Sequence, residues 1–144
     1  MNWKDEAMEK LRRYSSMQQA AYNIPEEISL LEQDARALRS PGLGVAVKGR
    51  GGNREDALLN NIVKRQELEN ALYQTRRWLS CTDRALRCLS TDERLILQRM
   101  FICPEPGCVQ MLCQELDVEQ STVYRKRDKA LEKFTISLYG STES

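Results

Sequence analysis

Between Ser121 and Lys133 the chain sets Arg125, Lys126, Arg127, Lys129 and Lys133 against Asp128 and Glu132, a local surplus of three positive charges. Beside them stand Gln120, Ser121, Thr122 and Tyr124, polar side chains that both donate and accept hydrogen bonds. Cations neutralise phosphates and short polar tips meet base edges, so together on one helix they suit a DNA groove. Other chemistry is poorly supplied. The chain has no histidine, so acid–base work would fall to carboxylates or lysines, and those present sit at solvated helical positions. No enzyme activity and no cofactor are expected. Cys103, Cys108 and Cys113 are five apart, which matches no paired zinc-ligand spacing, so no metal is expected either. GLGVAVKGRGG lacks both the preceding strand and the Lys-Ser or Lys-Thr ending of a phosphate-cradling loop.

The cationic residues need a scaffold, and LCQELDVEQSTVYRKRDKALEKF supplies one over residues 112–134. Leu112, Cys113 and Leu116 share a face of one short helix, Asp117 and Val118 break it, and Val123, Ala130, Leu131 and Phe134 recur at helical spacing in a second. This is the pattern of a helix-turn-helix with its apolar side inward. Cys113 is small where helices crossing at about 90–120° need close approach, and Val118 is placed to plug the corner. The first turns of the second helix would then meet the bases. A solvated basic helix on a small bundle is the plainer alternative. Upstream, Ser90 with Glu93 forms a capping box that opens another helix, with Leu95, Ile96, Met100 and Phe101 as its packing face. CPEPGC after it reads as a loop.

From Leu89 to Phe134 the chain resembles region 4 of bacterial sigma factors, through the LSTDERLILQRMF opening, a variable loop, and the LCQELDV and STVYRKRDKAL segments. The resemblance implies that the second helix enters the major groove of a promoter element, with Gln120, Ser121, Tyr124 and Arg125 facing bases and Lys129 near a phosphate. Lys126 and Arg127, on the same side, would mostly neutralise phosphate. Two residues depart from the family pattern. Asp117 stands where Gly is frequent and adopts a left-handed conformation less cheaply, and Lys126 stands at a usually apolar position, where it must snorkel. Over its whole length, through NIPEEISLLEQDA, the Gly-rich basic segment with EDALLNNIVKRQELE, and STVYRKRDKALEKFTISLYG, the chain is similar to the RinA and ArpU-like phage transcriptional regulators of Gram-positive hosts. That similarity implies activation of late phage genes.

Toward the start, Trp3, Ala7, Leu11, Tyr14, Met17 and Ala21 step by threes and fours along a helix over residues 3–22. Pro25 with Glu26 and Glu27 reads as the first turn of a second helix carrying Ile28, Leu31, Ala35 and Leu38 inward. Residues 40–53 hold five of the seven glycines and read as a flexible linker exposing Lys48 and Arg50. Asn53 is placed to cap a helix that runs to Leu89 with no Gly or Pro, on the order of 50 Å long. Leu68, Leu72, Thr75, Leu79, Thr82, Leu86 and Leu89 form a heptad-like seam along it, with Cys81 and Cys88 as small packing residues. The expected fold is therefore all-α. A long, coiled-coil-like antiparallel hairpin over residues 1–89 is followed by a sigma region 4-like helix-turn-helix domain over 90–144. A seam of this kind favours self-association, a dimer first, unless the hairpin satisfies itself.

Composition constrains the rest. With a net charge of only +1, DNA binding has to come from how charge is distributed. Residues 90–118 hold five acids and two arginines, and this acidic patch is expected away from the groove face. No run approaches the roughly 18–20 apolar residues of a membrane helix, and five cysteines suit reduced thiols, so a cytoplasmic, nucleoid-associated protein is expected. Three functions remain: a promoter-binding regulator whose partners are duplex DNA and host RNA polymerase, a small terminase-like DNA-packaging subunit, and a structural helical adaptor.

Overall fold

Asn2 opens the first helix by accepting a hydrogen bond from the Lys4 amide at 3.1 Å, and Asp5 and Glu6 in the first turn suit the positive end of the helix dipole. The computed structural model of the chain describes residues 2–40 and 51–142. Its regular structure there is entirely helical: α1 (Trp3–Arg12), α2 (Tyr14–Arg39), α3 (Gly51–Arg87), α4 (Thr91–Leu97) continued by a π-helical turn (Gln98–Ile102), α5 (Cys108–Leu116) and α6 (Gln120–Tyr139). The linker expected from residue 40 lies outside the described residues from 41 to 50.

Helix boundaries near the start differ from expectation. The first helix breaks at Arg13, and Pro25 lies inside α2 instead of opening a new helix. A proline there forfeits the amide bond to the Ala21 carbonyl and costs about 3 kcal/mol. Burial of Ile28 and Ala35 on the following turns offsets it. α3 begins at Gly51, which makes Asn53 its third residue and not its cap. Its first turns are held from outside: Arg54 donates to the Leu38 carbonyl at 2.5 Å and to the Ser40 carbonyl at 3.0 Å.

The chain divides into two compact units, residues 19–77 and residues 1–18 with 78–144. The division anticipated at residue 89 differs from this, because the apolar faces of α1 and of the last turns of α3 are buried with the C-terminal helices. Ala7, Leu11, Ala85, Leu86 and Leu89 share one core with Leu97, Phe101, Ala130, Leu131 and Phe134.

Within residues 19–77, Asn61 ties α3 to α2. Only 7% exposed, it donates to the Leu31 carbonyl at 2.8 Å and accepts from Arg65 at 2.7 Å. Together with Arg54 and Leu38, this pairs later residues of one helix with earlier residues of the other. Thr75 is buried and Leu68 and Leu72 are half-buried, so this part of the seam finds its cover inside the chain. Tyr22, Leu30, Leu59, Val63 and Tyr73 remain exposed.

In the other unit, Thr82 is fully buried and returns its hydroxyl to the Trp78 carbonyl at 2.8 Å. The Tyr14 hydroxyl donates to Asp83 and its ring lies against Trp78. Cys88, expected as a packing residue, is exposed, because α3 ends at Arg87 and the chain turns there.

Candidate nucleic-acid interface

The capping box at Ser90 starts the assembly that positions α6. The Ser90 hydroxyl accepts from the Glu93 amide at 3.2 Å, and the Glu93 carboxylate accepts from the Ser90 amide at 3.0 Å. Burial pushes the Glu93 carboxyl up, but the Ser90 hydrogen bonds and Lys133, 3.1 Å away, outweigh it and hold the group below its ordinary range. Of the expected packing face of this helix, Ile96 and Phe101 are buried and Leu95 and Met100 half-buried; Leu97, not singled out from the sequence, is buried with them. The π-helical turn closes through the Cys103 amide on the Gln98 carbonyl at 2.9 Å.

Gly107 then takes a left-handed φ of 75° and leads into α5. At the far end of α5, Asp117 adopts φ 54° and ψ 51°, and the amides of Asp117 and Val118 both donate to the Cys113 carbonyl, the latter at 3.1 Å. This left-handed closure turns the chain within three residues. Val123 at the start of α6 meets Ile96 and Leu112 in a small core, all three at 0% exposure, with Cys113, Leu116 and Val118 packed around them. Arg99 of the π-helical turn clamps Glu115 of α5 at 3.0 Å.

α6 is two-sided. Val123, Ala130, Leu131, Phe134 and Thr135 are buried. Gln120, Ser121, Arg125 and Lys129 are exposed, and Ser121, Arg125 and Lys129 form one row at steps of four. Thr122 is half-buried and accepts from Arg125 at 3.2 Å. Tyr124 is half-buried beneath the Arg127 guanidinium, 4.9 Å from the ring centre. Among the described residues no side chain caps α6, so the amides of Gln120 and Ser121 at its start stay available to an anion.

Not every cation on α6 is free to meet a phosphate. Arg127 is only 27% exposed and grips Asp128 at 2.9 Å, while Lys126 snorkels to Asp92 at 3.5 Å. With Glu93 on Lys133, two acids of the 90–118 patch thus face α6, contrary to the expectation that the patch lies away from it. Opposite charges on adjacent packed helices draw together, and only their three-dimensional neighbourhood reveals it. The sequence reading also missed α1 as a neighbour: Lys4 reaches Asp128 at 3.5 Å, and Trp3 and Lys4 line a groove of about 440 Å³ with the outer flank of α6. The Trp3, Ala7, Leu11 stripe announced a buried face but not what covers it.

Among the described residues, no group of three or more His, Cys, Asp or Glu is arranged to hold a metal ion, and no helix is long and apolar enough to cross a membrane. No family model matches the chain, and comparison with curated proteins and with solved structures gives no match.

Proposed function

We propose that the chain is a DNA-binding transcriptional regulator of the phage or prophage type, an activator of late genes, that reads promoter DNA through a helix-turn-helix formed by α5, the Asp117 turn and α6. One observation carries the proposal: α6 buries Val123, Ala130, Leu131 and Phe134 while leaving Gln120, Ser121, Arg125 and Lys129 exposed to solvent along its first half, from the uncapped end onward. A helix presented in this way offers base-reading tips and phosphate-neutralising cations along one side. In this proposal Gln120, Ser121, Tyr124 and Arg125 read bases, Thr122 steadies Arg125, and Lys129 meets a phosphate. Lys126 and Arg127 contribute to the local positive field, with a weaker share than Lys129 because each already has an acidic partner.

α2 and α3 act in this proposal as a coiled-coil-like hairpin. Its exposed Tyr22, Leu30, Leu59, Val63 and Tyr73 support dimerisation or contact with host RNA polymerase.

Selection of bound duplexes from a random pool, with light scattering on the unbound chain, tests the assignment. A defined enriched sequence and a dimer support a regulator. A large ring with no sequence preference supports a packaging subunit instead. Absence of any salt-dependent DNA affinity leaves the structural adaptor.

A further inference from the structure

The groove beside α6 has a second wall that the assignment of α6 alone does not use. Trp3 and Lys4, at the start of α1, form that wall, and Arg125 and Lys129 face it from α6. Resting on the placement of α6 in the major groove, we propose that this groove seats a phosphodiester of the DNA strand bordering that major groove, with Lys4 as a phosphate-binding residue contributed by α1.

The charge distribution inside the groove supports an anion. Lys4, Arg125, Lys126 and Lys129 line it together with Asp128 and Glu132. Asp128 shares its charge between two cations, Arg127 binding Oδ1 through two nitrogens at 2.9 and 3.1 Å and Lys4 reaching Oδ2 at 3.5 Å, so the trio keeps one net positive charge. Lys126 is answered by Asp92 outside the groove. Among the described residues Arg125 binds only the neutral Thr122 hydroxyl, and Lys129 is exposed. Among the described residues of the groove lining, Lys4, Arg125 and Lys129 therefore outnumber Glu132, which pairs with none of the described cations.

Shape supports the same occupant. Trp3 packs against the core of the unit, so that wall is anchored, and the Lys4 ammonium sits beside it, 5.9 Å from the ring. An exposed ion pair such as Lys4 with Asp128 contributes little, and a phosphate exchanges into it readily. The row of Ser121, Arg125 and Lys129 runs from the uncapped end of α6 into this groove, so a strand followed along the row arrives at Lys4.

Fluorescence anisotropy with the full chain, on a selected duplex and on a random one across a salt series, tests the proposal. Losing one phosphate contact lowers the slope of log affinity against log salt by about one and weakens binding about eightfold at ~0.1 M salt. Lys4→Ala is expected to do this equally on both duplexes, and Lys4→Arg to restore it. Asp128→Asn removes the bridge but keeps the cation, and is expected to bind at least as tightly as the unmodified chain. Lys4→Ala indistinguishable from the unmodified chain, while Arg125→Ala and Lys129→Ala weaken binding, overturns the role of Lys4 and leaves that of α6 intact. Asp128→Asn weakening as much as Lys4→Ala overturns it too, because the bridge would then be structural. If the unmodified chain binds neither duplex, the assignment of α6 fails and the groove's role fails with it.

Discussion

Replacing Asp117 by glycine should stabilise this protein, although glycine usually weakens helical regions. Asp117 holds φ 54° and ψ 51°, where an ordinary L-residue is disfavoured by about 1–2 kcal/mol and aspartate by somewhat less. Its exposed carboxylate also stands at the negative end of the α5 dipole, a position that costs about 0.3–1 kcal/mol. Asp117→Asn removes only the charge and should gain a few tenths of a kcal/mol. Asp117→Gly removes both penalties, against about 0.5–1 kcal/mol of added chain entropy in the unfolded state, for a net gain of about 0.5–1 kcal/mol. Asp117→Ala sheds the same charge but takes on the full left-handed cost, so the two changes nearly cancel and it should stay within about a few tenths of a kcal/mol of the unmodified chain. Urea unfolding at neutral pH reads the series through its midpoints at constant m-value, and 1 kcal/mol corresponds to about 2–4 °C in Tm for a chain of this size. The predicted order is Gly first, then Asn, with Asp and Ala close together below them. An alanine variant as stable as the glycine variant would show that the turn does not depend on left-handed geometry at Asp117.

Three further outcomes follow from polar groups inside the fold. Burial and the hydrogen bond to Asp83 push the Tyr14 hydroxyl from 10.0 up to about 12. Since the folded value lies above the unfolded one, its contribution is complete below pH 10 and is lost as pH rises toward 12; urea midpoints should fall across that window, and Tyr14→Phe should flatten the fall while costing about 1 kcal/mol at neutral pH. Glu93 is held below its ordinary 4.5, so its contribution is present above that pH and is lost as pH drops through the folded value; Glu93→Gln should lower stability at neutral pH and reduce its decline in acid, measured in the same way. Asn61→Ala removes the hydrogen bond from α3 to the Leu31 carbonyl, which keeps its own helical partner, and should cost about 0.5–1.5 kcal/mol. Asn61→Leu should keep more stability yet broaden the pairing of α2 with α3, which sedimentation would detect as mixed assembly states.

Much of the C-terminal arrangement was legible in local patterns. The spacing of Val123, Ala130, Leu131 and Phe134 named the buried side of α6, Ser90 with Glu93 named a helix start, and Asp117 with Val118 named the break, because each signal lies within a turn or two of the backbone it governs. Signals that depend on distant partners were not legible. Pro25 reads as a boundary by its own chemistry, and only the burial of Ile28 and Ala35 explains why a helix runs through it. The α1 stripe could not declare α6 as its cover, so Lys4 and Trp3 did not figure among the candidate site residues. Asp92 and Glu93 likewise looked like part of a remote acidic patch until packing set them against Lys126 and Lys133.

The central claim is that the outer face of α6 reads duplex DNA, and a paired titration of Arg125→Ala and Lys129→Ala on selected and random duplexes over a salt series tests it most directly. Arg125→Ala should cost about 1–3 kcal/mol on the selected duplex and relax preference at one base pair, while Lys129→Ala should weaken both duplexes alike and lower the salt slope by about one. Equal effects of the two variants on both duplexes, or no salt-dependent binding by the unmodified chain, would contradict it.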